Sequence, residues 1–133
     1  MNLVEIIEFL AAASSCVALV FGVATYYSSI SRERKVRTYN AIDVLLEKND
    51  ELSSKNIKND YMDFVHFTRN VDRFASSYNA GQFKKSIVKE RAGAFLIRIY
   101  DEKLSGIILQ QRKQFKRDSY FSQLENMIKD LKQ

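Results

Sequence analysis

The chain has 133 residues, 21 Lys and Arg against 16 Asp and Glu, four glycines, one cysteine and no proline. A single cysteine excludes an intrachain disulfide and a Cys-based zinc site, and the lack of proline argues against many short strands joined by tight turns. The numbers favour an all-α fold: an N-terminal segment and transmembrane helix over residues 1–31, then a small cytosolic helical bundle over residues 32–133.

In chain order, Glu5 and Glu8 precede a run without charge or histidine, residues 9–30. As a helix these residues would extend about 33 Å, close to the hydrocarbon thickness of a bilayer. A secretion signal opens with a basic region and has a shorter apolar core, whereas no Lys or Arg occurs here before Arg32. Cleavage after a small residue such as Ala24 and burial as a core helix stay open as alternatives. Arg32, Arg34, Lys35 and Arg37 follow the run, so the positive-inside rule predicts an outward N-terminus and a cytoplasmic domain. Tyr26 and Tyr27 stand where an interfacial aromatic belt would lie, and Cys16 reads as a small apolar packing residue.

Within the run, Ser14, Ala18 and Gly22 recur every four residues, with Ala11 and Ser15 beside them. Small residues on one face let two transmembrane helices approach closely, so the stripe predicts self-association, although small residues also occur in anchors that only tether. All 21 basic but only 14 of the 16 acidic residues lie after Ser31, a formal charge of +7. Anionic membrane lipid is the partner this charge fits, and no motif accompanies it that would point to nucleic acid.

Val36, Tyr39, Ile42, Val44, Leu45 and Leu46 predict an amphipathic helix over 31–48, with no Pro or Gly to separate it from the apolar run. Residues 49–60 read as a loop. Tyr61, Phe64, Val65, Thr68, Val71, Phe74, Ala75 and Tyr78 form an i, i+3, i+4, i+7 stripe, closed by Gly81 in a left-handed cap. His66 falls off that stripe and reads as a surface residue. A third helix is predicted over 83–104, with Ile87, Val88, Ala94, Phe95, Ile97, Ile99 and Tyr100 apolar. Gly93 marks a close crossing or a bend, and Ser105-Gly106 a break or a kink. Arg112, Lys113, Lys116 and Arg117 form a cationic stretch that reads as a solvated face. The last helix presents Tyr120, Phe121, Leu124, Met127, Ile128 and Leu131.

No Arg precedes His66 nearer than Arg37, which excludes the helical ribonuclease pattern of an Arg a few residues before a His. There is no glycine-rich phosphate loop, no nucleophile in a recognisable setting and no carboxylate pair with metal-site spacing. Asp60, Asp63 and Asp72 share a helix with basic neighbours and read as solvated ion pairs. The expectation is no enzyme, with no catalytic, cofactor-binding or metal residues and no cofactor.

The segments VDRFASSYNAGQFKKSIVKERAGAFLIRIYDEKLSGIILQQRK and YFSQLENMIKDLK, placed after an anchor and a basic juxtamembrane helix, resemble the bacterial family catalogued as domain of unknown function 4760. The likeness covers about 100 residues and rests on packing motifs. It implies one N-terminal transmembrane helix in the bacterial inner membrane with a short cytosolic helical bundle, and brings no catalytic residues. The expected function is protein interaction or self-assembly at the membrane, as tether or adaptor, with a homo-oligomer or another protein of the same operon as partner. Alternatives are an oligomeric pore-forming effector of antiphage defence and a membrane-anchored ligand sensor.

Overall fold

The computed structural model describes residues 2–133, and those residues form helices and turns with no strand. The helices are α1 (Leu3–Leu52), α2 (Tyr61–Asn79), α3 (Lys85–Ile99), α4 (Ser105–Phe115) and α5 (Ser122–Leu131), with a π-helical turn, Tyr100–Leu104, between α3 and α4. The chain divides into two compact units, Met1–Glu33 and Arg34–Gln133.

In the first unit a reciprocal capping box starts α1. Asn2 Oδ1 accepts from the Glu5 amide at 2.8 Å, and Glu5 Oε2 accepts from the Asn2 amide at 3.2 Å. Two of the amide donors that a helix start leaves unpaired are thereby satisfied. Every side chain over residues 2–29 is exposed. Ser15 Oγ donates to the Ala11 carbonyl at 3.0 Å, so its hydroxyl needs no partner outside the helix.

In the second unit α1 continues to Leu52, one turn beyond the expected end at residue 48, because Leu52 is buried and carries the core face into that last turn. The face itself also differs from the expectation. Thr38, Ile42, Leu45 and Leu52 are buried, while Val36, Val44 and Leu46 are exposed. The 3.6-residue period selects 38, 42, 45 and 52, and places polar Thr38 inside at the cost of three apolar residues outside.

Helix α2 buries Phe64, Val65, Phe67, Thr68, Val71, Phe74, Ala75 and Tyr78, the expected stripe plus Phe67, with Tyr61 partly covered at its start. Gly81 has φ +78°, and the Gly81 and Gln82 amides donate to the carbonyls of Tyr78 and Ser77 at 3.1 and 3.0 Å. This pair of bonds is the Schellman closure that a glycine at this position permits.

Helix α3 buries Val88, Ala92, Gly93, Leu96 and Ile99; Ala94, expected inside, is exposed. Gly93 is buried where α3 faces α5, but the crossing does not require glycine: a Cβ there would stand 4.0 Å from Leu131 Cδ2 of α5, an ordinary contact. Ser105-Gly106 does not interrupt the helical hydrogen bonding. The π turn carries the helix through it, with the Ser105 amide donating to the Tyr100 carbonyl five residues back. From Ile99 the next core residue is Leu104, a step that overshoots an α-helical turn by more than a third, and the wider turn returns Leu104, Ile107 and Ile108 to the core side.

Helix α4 ends at Lys116 in the left-handed region (φ 53°), and Phe121, before α5, has φ 63° and is buried. α5 packs mainly on α2 and also on α3. The centre of the core is Tyr78, Leu96, Leu104, Leu124 and Met127, each at most 1% exposed.

Candidate functional site

The first unit contains a stretch long and apolar enough to cross a membrane. An 18-residue window of α1 has mean hydropathy 2.2, and none of it is buried. Leu10, Val17, Leu19, Val20 and Phe21 are each at least 60% exposed. Left in water, five such side chains forgo on the order of 10 kcal/mol of burial, as much as the whole stability of a small domain. Tyr26 and Tyr27 are exposed and meet edge to face, ring centres 5.9 Å apart.

Ser14, Ala18 and Gly22 lie on α1 at four-residue intervals, all exposed, and beyond the local helix backbone nothing lies within 4 Å of where a Gly22 Cβ would be. Cys16 is exposed too, on the opposite side of the helix. Arg32, Arg34, Lys35 and Arg37 are likewise exposed on α1.

In the second unit several charged side chains serve the fold. Asp72, expected as a solvated ion pair, is half-buried and accepts from the Leu124 amide at 3.0 Å, so a carboxylate of α2 caps the start of α5. Burial pushes its pKa up, and the amide bond opposes this. Asp63 does form the expected exposed pair, 3.0 Å from Lys55, and raises the pKa of that lysine. Asp60 accepts from the Asn56 amide at 3.3 Å.

Arg112 departs from the solvated reading too. Its Nε and terminal nitrogen donate to the Tyr120 carbonyl at 2.9 and 2.7 Å and it pairs with Glu125, which locks the loop between α4 and α5 and raises the guanidinium pKa. Lys113, Lys116 and Arg117 are exposed, as expected. The Tyr78 hydroxyl donates to Asp130. Burial first, then this bond, lifts Tyr78 above the usual phenol range, while the same bond, with Lys89 and Lys85 nearby, lowers Asp130. Gln111, 3% exposed, donates to the Tyr61 hydroxyl at 3.2 Å.

Asp72, Arg112 and Gln111 carry no local signal of these roles, since each partner lies in another element or across a loop. The capping box at Asn2 and Glu5 was readable from its three-residue spacing.

His66 is exposed and borders an open depression of about 200 Å³ with Lys48, Glu51 and Asp63. A second depression of about 220 Å³ between α1 and α2 is lined by Val44, Leu45, Arg73 and Phe74. Among the described residues no three His, Cys, Asp or Glu side chains are grouped to hold a metal ion. No protein-family model, curated protein or solved structure matches the chain.

Proposed function

We propose that the chain is a single-pass protein of a bacterial inner membrane whose helical domain binds a partner or another copy at the cytoplasmic face. The observation that supports this most is the wholly exposed apolar window of α1, followed by Arg32, Arg34, Lys35 and Arg37. Bilayer hydrocarbon is the surroundings in which that exposure carries no penalty, and the basic cluster orients the domain to the cytoplasm. The role is that of a tether or adaptor, without catalysis. Membership of the domain of unknown function 4760 family belongs to this reading and rests on the residues quoted above alone.

A second reading has support in Gly22. With nothing within 4 Å, the Ser14, Ala18, Gly22 face is open to a second helix, as an oligomeric, pore-forming effector of antiphage defence would need. The mass of the full chain in detergent, beside that of the fragment from Arg32, tests both readings. A tether whose cytosolic domain self-assembles gives the same stoichiometry in both samples. Association through the apolar helix gives oligomers of the full chain that are lost when Gly22 and Ala18 become Leu. If both samples are monomeric, assembly through either unit is ruled out.

A further inference from the structure

Two basic segments far apart in the sequence meet in the second unit. Thr38, fully buried, accepts from the Lys84 backbone amide at 2.9 Å while its hydroxyl donates to the Arg34 carbonyl at 2.7 Å. The Arg91 guanidinium lies over the Tyr39 ring, 5.3 Å from its centre. These contacts hold the first two turns of α3 against the part of α1 that carries Arg34, Lys35 and Arg37. The α3 segment brings Lys84, Lys85, Lys89 and Arg91, of which all but the half-buried Lys84 are exposed. Glu90 offsets part of this charge, as does Asp130, 3.9 Å from Lys89. Asp130 in turn accepts from the Tyr78 hydroxyl, and Lys85 lies over the Tyr78 ring at 5.0 Å.

We propose that this composite basic surface, built from α1 and the start of α3, binds the anionic headgroups of the bilayer that holds the apolar helix. The inference rests on the membrane reading above and goes beyond it. The sequence marks only the juxtamembrane cations, whereas the fold recruits a second set through the bond between Thr38 and Lys84, 46 residues apart in the chain. Proximity favours lipid over other polyanions. Arg34 comes four residues after Ile30, at most about 14 Å even for an extended chain, so it stays within reach of the headgroups, and the Thr38 and Tyr39 contacts hold the α3 cations to the same part of α1. Clustered Lys and Arg directly beyond a membrane segment are the pattern that anionic lipid attracts.

The test uses the full chain in lipid nanodiscs of phosphatidylcholine alone or with a third of phosphatidylglycerol. Amine acylation of each lysine is read by mass spectrometry, with Lys55 and Lys58 as controls. Anionic lipid is expected to slow labelling of Lys35, Lys84, Lys85 and Lys89 roughly fivefold relative to the controls, and ~1 M salt to abolish the difference. Incorporation with equal labelling in both lipids overturns this inference and leaves the membrane reading intact. Protection by added single-stranded RNA, with none from anionic lipid, overturns it in favour of nucleic acid. Failure of the chain to enter either nanodisc overturns both readings.

Discussion

Leu96 and Leu19 are the same side chain in opposite surroundings: Leu96 is 0% exposed in the Arg34–Gln133 unit, Leu19 70% in the Met1–Glu33 unit. In the second unit apolar residues recur on one face of each helix, so α2, α3 and α5 cover one another and leave charge outside. In the first unit apolar residues run all round the helix, and no arrangement of one helix can cover them. The second unit therefore carries its own core, while the first depends on its surroundings.

The largest effect that separates the units comes from truncating these two leucines. Leu96→Ala is expected to lower unfolding free energy by about 2–5 kcal/mol, because it opens a cavity at the centre of the core. Leu19→Ala should change it by no more than about 0.5 kcal/mol. Chemical denaturation of the full chain in mild detergent measures both, and similar losses would mean that Leu19 is buried within the fold after all.

Next in size are the carboxylates that join helices. Asp72→Ala leaves the Leu124 amide without its acceptor and should cost about 1 kcal/mol, whereas Asp72→Asn keeps an acceptor without the charge and should match or exceed the native stability at neutral pH. The pH dependence of Asp72 and Asp130 has opposite sign. Asp72 binds its proton more tightly folded than unfolded, so its contribution declines as pH rises from the ordinary value of 3.8 through the raised folded pKa. Asp130 is lowered by the Tyr78 hydroxyl, so its contribution is full above 3.8 and is lost as pH falls through the lower folded pKa. Stability measured against pH should therefore lose part of its acid-side decline in Asp130→Asn and not in Asp72→Asn.

The smallest effects are gains. Lys116→Gly should add about 1 kcal/mol by relieving a left-handed residue. Gly93→Ala should add up to about 1 kcal/mol of helix propensity, since its Cβ would meet Leu131 at an ordinary contact distance. A loss at Gly93 would show that the α3–α5 crossing is tighter than described.

The all-helical class, the α2 stripe and the Gly81 closure were legible because each is set by local periodicity and turn chemistry. The α1 face was not. Val36, Val44 and Leu46 outnumber what the period allows on one side, and only the partner helices decide that polar Thr38 goes in. The change of helix at Ser105-Gly106 is legible as a position, whereas its form, a π turn and not a break, is not, because a π turn has no residue signature as plain as a glycine break. Asp72 and Arg112 looked like surface charges, since a cap supplied from another helix leaves no trace near its own position. The apolar stretch was legible as a long exposed helix, and its stripe, Ser14, Ala18 and Gly22, is readable as spacing alone.

The central claim concerns what surrounds that helix, and Cys16, the sole thiol, reports on it directly. The measurement is the rate of maleimide labelling of Cys16 in the alkaline-washed membrane pellet, before and after solubilisation in SDS. A helix in bilayer hydrocarbon predicts that the chain stays in the pellet and that Cys16 reacts only after solubilisation. Release of the chain into the wash, or equal labelling before and after SDS, would contradict it.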